Sequence, residues 1–218
     1  MVQCRMEIQT ISAGQEACAR AKAGSIAVIC CKRPKALKEA SMKRVAVVMG
    51  APSAVIQNLF RELAERWQSD IRIAGVVEEP HGLVDRKCNA GYLRSITSGT
   101  LYPIFQDLGP GAEACHLEGA GAISATEAIE QDIAAGCDLV MLSKFGKLEA
   151  SREGLSGAFA TAIGAGLPVL TSVSPAFEQA WETFAAPLFH VLPADPNEIE
   201  AWRQAIFDDT AMSRSLQS

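Results

Sequence analysis

The sequence predicts an α/β fold: a three-layer sandwich with a mainly parallel sheet, helices on both faces and an inserted β-hairpin. Short apolar runs of strand length alternate with longer segments of helical period from residue 43 onward. Glycine and proline residues separate most of these segments. Strands that alternate with helices of this length are typical of a parallel sheet covered on both faces.

The first half of this region predicts two strands, a helix and a hairpin. Three valines predict a strand at 44–49, and a second strand is predicted at 71–77. Segments 92–97 and 101–106 flank Ser-Gly-Thr, which is typical of a hairpin turn. A helix is predicted at 53–68, and its apolar face consists of Val55, Leu59, Phe60, Leu63, Ala64 and Trp67.

The second half continues the alternation. The predicted helices lie at 120–135, 155–165, 175–184 and 197–207, and the predicted strands lie at 138–143, 168–173 and 189–192. We therefore expect one α/β domain at 43–208, an extension at 1–42 and a flexible tail at 209–218.

Composition excludes several classes of protein. The net charge of -5 and the pI of 5.3 disfavour a nucleic-acid-binding protein, which usually carries a basic face. Seven cysteines without a CxxC pair indicate reduced thiols and a cytoplasmic protein rather than a disulfide framework. No apolar run reaches the roughly 18 residues that a membrane span needs.

Residues 1–42 allow three interpretations. They form a loosely attached extension, or Met42 is the natural start, or the apolar run at 25–31 adds a short strand. A secretory signal is excluded because the basic residues follow the apolar run instead of preceding it.

The loop after the first strand lacks the sequence of a phosphate-binding loop. Such a loop needs GxxxxGK[ST], because its amides cradle phosphates, its lysine reaches the terminal phosphates and its hydroxyl holds magnesium. A template that starts at Gly50 places Val55, Ile56 and Gln57 at the three critical positions. The loop is therefore either an ordinary turn or a weak anion site at the helix N-terminus near Ser53.

The segment DLVMLSKFGKLE, residues 138–149, is the strongest candidate for a site. Ligands of open α/β sheets bind at the carboxyl ends of strands, and this strand ends in Ser143 and Lys144 rather than in acidic residues that would hold magnesium. Lys144 and Lys147 favour an oxyanion such as phosphate or molybdate, or a nucleotide held without hydrolysis. Glu149 would orient Lys144 through a salt bridge or bind a hydroxyl. The alternative is a solvated surface turn, since most charge clusters are exposed.

The order of elements resembles nucleoside-triphosphatases of the P-loop class, of the thermophilic type. In that class a strand ends in GxxxxE, a hairpin carries a glycine turn, and a later strand ends in DEIGxxE. The counterparts here are the segment 73–78, which contains Gly75 and ends in Glu78, the segment 96–99, which ends in Gly99, and the segment 142–149. The resemblance covers roughly residues 43–173 and implies a similar fold with a degenerate phosphate loop.

More closely, the chain resembles the bacterial domain family of unknown function 2478, which is often encoded beside molybdate-transport genes. The family's marks are a cysteine after the second strand, a QDLGPGA-C-L segment and a strand ending in NKFGKxEAxGxGL. Here they correspond to Cys88, to 106–117 with Cys115, and to 144–155. The chain departs at Ser143, where the family usually has asparagine, and in being one residue longer before Gly154.

The resemblance and the residues together predict a non-catalytic protein that binds an oxyanion or a nucleotide, with a link to molybdenum uptake or handling. The alternative is a divergent nucleoside-triphosphate phosphohydrolase, and the sequence leaves the cofactor undetermined. Cys88, Cys115 and His116 would form part of a metal site only with a further ligand, and inert buried thiols are the simpler interpretation. A homo-oligomer and association with a transporter both remain open. The predicted ligand-binding residues are Lys144, Phe145, Gly146, Lys147, Glu149, Gly50, Ser53, Cys88 and Cys115.

Overall fold

The computed structural model describes residues 43–82, 90–106, 116–117 and 119–215. The predicted extension at 1–42 and the predicted site residues Cys88 and Cys115 lie outside these ranges. The strands are β1 Val45–Met49, β2 Ile73–Pro80, β3 Ala90–Ser95, β4 Leu101–Pro103, β5 Phe105–Gln106, β6 His116–Leu117, β7 Leu139–Leu142, β8 Val169–Ser172 and β9 Phe189–Pro193. The helices are α1 Ser53–Trp67, α2 Gly119–Ala135, α3 Lys147–Ala150, α4 Ser156–Gly164, α5 Glu178–Ala185 and α6 Pro196–Ser215.

Seven of these strands form one sheet in the order β4-β3-β2-β7-β8-β1-β9. The strands from β2 to β9 in this order are parallel, whereas β3 and β4 add to β2 as an antiparallel hairpin. Every residue of β7 and β8 is buried, as expected for central strands covered on both faces. The predicted α/β class with a mainly parallel sheet is confirmed, and the hairpin occupies the edge of the sheet next to β2.

The helices cover both faces, which gives the predicted three layers. Helices α1 and α6 pack on one face, around Phe60, Leu63 and Trp202. Helices α2, α4 and α5 pack on the other face, around Ile129, Phe159 and Trp181. Alternate residues of each strand supply the two cores, because successive side chains of a strand point to opposite faces.

Helix α1 has the predicted length but a slightly rotated apolar face. Ile56, Phe60, Leu63 and Trp67 are buried, whereas Val55, which was predicted to belong to the buried face, is 49% exposed. The i, i+4 and i+7 spacing from Ile56 follows the helical repeat more closely than the four-residue spacing from Val55, which drifts around the helix axis.

Two boundaries and one element differ from the predictions. Strand β2 continues to Pro80 instead of ending at residue 77, and helix α6 continues to Ser215 instead of ending at residue 207. Residues 209–215 are thus helical, so the predicted domain end at 208 is too early. Helix α3 was not predicted, because a single turn of four residues has no periodicity to detect.

Candidate functional site

A cavity of about 70 Å³ lies at the carboxyl ends of β2 and β7. The pairing of Val76 with Leu142 sets its geometry, because it places Glu78 of β2 level with Lys144, just beyond the end of β7. The floor of the cavity is apolar, and the charged residues come from β2, from the segment after β7 and from α3. Its lining residues are Glu78, Leu93, Ile104, Ala122, Ser143, Lys144, Gly146, Lys147, Leu148, Glu149 and Leu155.

Glu78 and Lys144 form an ion pair beside this cavity. The Nζ atom of Lys144 lies 2.6 Å from Oε2 of Glu78, and the two side chains are 30% and 12% exposed. The Oε2 atom is buried, and this ion pair is its polar contact among the residues that the structure describes. The negative partner of Lys144 is therefore Glu78, and the predicted salt bridge between Glu149 and Lys144 is wrong.

Glu149 instead binds one backbone amide just before α3 and one just before α4. Its Oε2 accepts a hydrogen bond from the Gly146 amide at 2.9 Å, and its Oε1 accepts one from the Leu155 amide at 3.0 Å. The residue is 7% exposed. A buried carboxylate satisfied in this way fixes the turn that carries Gly146 and Lys147, rather than offering free oxygens to a ligand.

Gln57 of α1 connects the two strand ends behind the cavity. Its Nε2 donates to the carbonyl oxygen of Ser143 at 2.6 Å, and its Oε1 accepts from the amide of Glu78 at 3.0 Å. The Ser143 carbonyl also accepts from the Ser172 hydroxyl at 2.9 Å. Gln57 is buried and occupies the position at which the phosphate-loop template has its magnesium-binding hydroxyl.

The next residue of β2 faces the opposite side of the sheet. Glu79 forms an ion pair with Arg94 of β3, whose Nη2 donates to Oε2 of Glu79 at 2.8 Å. The hydrogen bond from Arg94 lowers the pKa of Glu79 and outweighs the opposing effect of partial burial. Two consecutive glutamates therefore serve two separate sites, one on each face of the sheet.

The structure brings together four of the predicted site residues. Lys144, Gly146, Lys147 and Glu149 all line the cavity. Phe145 does not line the cavity, because its buried side chain packs against Phe159, Trp181 and Phe184.

Two further predicted residues stand apart from the cavity. Gly50 and Ser53 follow β1, which is separated from β7 by β8, and neither lines the cavity. The structure therefore places Gly50 and Ser53 outside this cavity.

The sequence analysis missed Gln57 and Glu78 as members of the site. A signal for Glu78 was present, since the apolar run Val76-Val77 continues directly into two glutamates and then Pro80. Because the strand was predicted to end at residue 77, Glu78 was assigned to a loop, and its position beside Lys144 could not be inferred. Gln57 gave no signal for a place in this site, because its hydrogen-bond partners are backbone atoms of segments that lie far away in the sequence.

No group of three or more His, Cys, Asp or Glu side chains among the described residues is arranged to hold a metal ion. None of the described helices is both long and apolar enough to cross a membrane.

The sheet, its two helical layers and the crevice at the strand ends define a three-layer α/β protein. The chain belongs to the DUF2478 family, described as a protein of unknown function, whose profile matches residues 45–202. It is 33% identical over 191 residues to the molybdenum import ATP-binding protein ModC 2 of Bradyrhizobium diazoefficiens, an alignment that covers 86% of this chain and 20% of that protein. This chain therefore spans about a fifth of the length of that relative. The match supports the predicted relationship with P-loop nucleoside-triphosphatases, and no solved structure matches the chain.

Proposed function

We propose that this protein binds a small oxyanion in the cavity at the ends of β2 and β7, without hydrolysing a nucleotide, and serves molybdenum import or handling. The molybdenum link comes from the relative, which is named as a molybdenum import ATP-binding protein. The same similarity supports our proposal of a cytoplasmic protein that associates with a molybdenum importer. The odd set of seven cysteines without a CxxC pair agrees with a reducing compartment.

The position of Gln57 carries this proposal. In a phosphate-binding loop the corresponding hydroxyl helps to hold magnesium between the first loop and the strand ends. Here a longer amide reaches across that space and makes hydrogen bonds to backbone atoms of β2 and of the segment after β7. Gln57 is thus a buried amide already bound to backbone atoms, and not the free hydroxyl that the template requires for magnesium, which argues against conventional hydrolysis.

The charges and the size of the cavity favour a small anion. Lys144 is partly exposed and Lys147 is exposed, so their ammonium groups are accessible to a ligand. A cavity of about 70 Å³ holds a group of a few heavy atoms. It is far below the roughly 300 Å³ at which pockets for drug-sized ligands begin, so a whole nucleotide would extend outside it.

A thermal-shift panel on the full chain tests the proposal. The ligands are molybdate, tungstate, sulfate, phosphate, ATP and GTP, the nucleotides with and without magnesium. An oxyanion at 100 times its dissociation constant should stabilise the protein by about 2.7 kcal/mol, or about 5–10 °C for a domain of this size. The variant Lys147→Ala should weaken the oxyanion response, because it removes a cation from the wall of the cavity.

Arg152→Ala provides the matched control. Arg152 is an exposed cation five residues from Lys147 that does not line the cavity, so its removal should leave the oxyanion response intact. An equal loss in both variants would indicate unspecific charge attraction. Stabilisation by a nucleotide with magnesium alone, together with release of phosphate, would favour the phosphohydrolase instead. A panel in which no ligand shifts the melting temperature would remove the binding function.

A further inference from the structure

Glu78 places a negative charge in a cavity proposed to bind an anion, and its geometry is specific. Its Oε2 atom is buried beside the ammonium of Lys144 and accepts no hydrogen bond from the described residues. We propose that Glu78 makes the cavity selective for oxyanions that bind together with a proton, which the ligand and the Glu78 carboxylate share. This inference rests on the proposed oxyanion site.

Among the described residues that line the cavity, the charges leave no excess of cations. Lys144 and Lys147 are matched by Glu78 and Glu149, and the oxygens of Glu149 are already bound to backbone amides. Within the part of the chain that the structure describes, the other elements against Glu78 contribute uncharged groups. These are Gln57 from α1, and the lining residues Leu93, Ile104, Ala122, Ser143, Gly146, Leu148 and Leu155. A fully deprotonated dianion would therefore meet the Glu78 carboxylate without compensation, at partly buried positions where repulsion is weakly screened.

Uptake of a single proton removes the repulsion between the dianion and the Glu78 carboxylate. When the oxyanion enters, its oxygens accept hydrogen bonds from Lys144 and Lys147. One proton from solvent then lies between a ligand oxygen and the carboxylate of Glu78, so that one of the two oxygens donates and the other accepts. The proton cancels one negative charge, while no bond of the ligand is broken.

Selectivity follows from the acid–base chemistry of the ligand. Molybdate takes up a proton more readily than sulfate, although the two ions have the same charge and a similar tetrahedral shape. A site that requires a shared proton therefore favours molybdate over sulfate, and its affinity rises as the pH falls. Lysines alone would discriminate poorly between two tetrahedral dianions.

Isothermal titration calorimetry of the full chain with sodium molybdate and sodium sulfate tests this inference. At pH 6 and pH 8, in pairs of buffers with different ionisation enthalpies, the measurement gives both the affinity and the number of protons taken up. We expect close to one proton per molybdate, an affinity that falls about tenfold per pH unit, and sulfate binding at least tenfold weaker than molybdate binding.

The variant Glu78→Gln should bind molybdate and sulfate alike, with a flat pH profile and no proton uptake. Glu79→Gln is the matched control: it removes the neighbouring carboxylate on the opposite face of the sheet and should keep the wild-type pH profile. Circular dichroism verifies that both variants fold. If Glu78→Gln does not fold, the proton count of the wild-type protein decides the matter.

Three results would overturn the inference. Molybdate binding by the wild-type protein without proton uptake would leave the oxyanion site standing and remove the role of Glu78. An unchanged pH profile in folded Glu78→Gln would do the same. Absence of oxyanion binding in both the wild type and Glu78→Gln would instead show that the proposed function fails, and this inference with it.

Discussion

The side-chain amide of Gln57 joins three segments that are far apart in the sequence. Through two hydrogen bonds it connects α1 to the amide of Glu78 and to the carbonyl of Ser143. The Ser143 carbonyl has a second donor in Ser172. Removal of the Gln57 amide therefore deprives the part-buried Glu78 amide of its side-chain acceptor.

We predict that Gln57→Met destabilises the fold by about 1–3 kcal/mol, the usual cost of a buried hydrogen-bonding group that loses its partner. Urea denaturation followed by circular dichroism measures the change in free energy of unfolding. Glu62→Met, an exposed position on the same helix, is the control and should change stability by less than about 0.5 kcal/mol. An equal effect of the two substitutions would show that the amide contacts contribute little.

The sequence predicted part of the site at this scale. Lys144, Lys147 and Glu149 were placed together because they follow a buried strand within six residues, and ligands of such sheets bind at strand ends. The identity of the partner of Lys144 was not predictable. Glu78 reaches Lys144 only through the register of two parallel strands that lie more than sixty residues apart in the chain.

Helix α3 and the turn that follows it act as one element held by Glu149. Gly154 makes this turn possible, because it has a φ of +56° and lies against the carboxylate. A Cβ atom at this position would lie 2.4 Å from Oε1 of Glu149 and 2.8 Å from Cβ of Leu148. The site turn therefore depends on a residue without a side chain.

We predict that Gly154→Ala destabilises the protein by at least about 1 kcal/mol, because it adds a left-handed backbone cost to a steric clash. It should also weaken oxyanion binding, since Glu149 would shift and move Gly146 and Lys147 with it. Thermal unfolding and the anion titration measure the two effects. Gly164→Ala is the control: a Cβ atom there meets nothing within 4 Å, and helix α4 should tolerate or gain from the change. Equal melting temperatures for the two variants would contradict the argument.

Most elements were predictable because their patterns are long enough to be periodic. The apolar runs of β1, β7 and β8 and the helical period of α1 all gave the correct type of element. Helix α3 has only four residues, and the end of β2 is charged, so neither carries the hydrophobic signal on which such predictions rest. These two segments form the wall of the cavity, which is why the site was predicted less well than the core.

The stability of the whole domain should decrease as the solution becomes acidic. Burial, helped by the nearby charge of Lys43, lowers the pKa of His190 below its ordinary value of 6.5. The unfolded chain therefore binds a proton before the folded protein does. The contribution of His190 to stability is complete above about pH 6.5 and is lost as the pH falls through the folded-state pKa.

We predict that His190→Gln reduces the slope of unfolding free energy against pH between pH 7.5 and 5.5. Lys43→Gln should reduce this slope partly, because the substitution removes the smaller of the two causes of the lowered His190 pKa. Chemical denaturation at a series of pH values provides the measurement. A slope that is identical in the wild type and His190→Gln would assign the acid sensitivity to other groups.

Two carboxylates also reduce the stability of the folded protein as the pH falls, but over a lower pH range than His190. The pKa of Glu79 is lowered by its hydrogen bond to Arg94. For Glu200, burial raises the pKa, but hydrogen bonds from Arg203 and Trp67 outweigh it and the pKa is lowered. Both contributions are present above the ordinary carboxyl pKa near 4.5 and are lost as the pH falls through the lower folded values.

At the scale of the whole molecule, the sequence predicted the fold class and the three layers but not the strand order. Alternating apolar segments require a covered sheet, whatever the order of its strands. The order depends on which strands pair across long crossovers, as β1 does with both β8 and β9. Such pairing depends on how two complete helical layers pack against the sheet. Local sequence patterns carry no information about this packing.

The tryptophans are divided between the two faces of the sheet, and this determines what intrinsic fluorescence reports. Trp67 and Trp202 belong to the core under α1 and α6, whereas Trp181 belongs to the opposite core, together with Leu93 and Leu155 from the cavity wall. Intrinsic fluorescence thus reports on both layers at once, and a perturbation of the cavity reaches the emission chiefly through Trp181. In a variant that retains Trp181 and lacks Trp67 and Trp202, the fluorescence would report on one face of the sheet and not on the other.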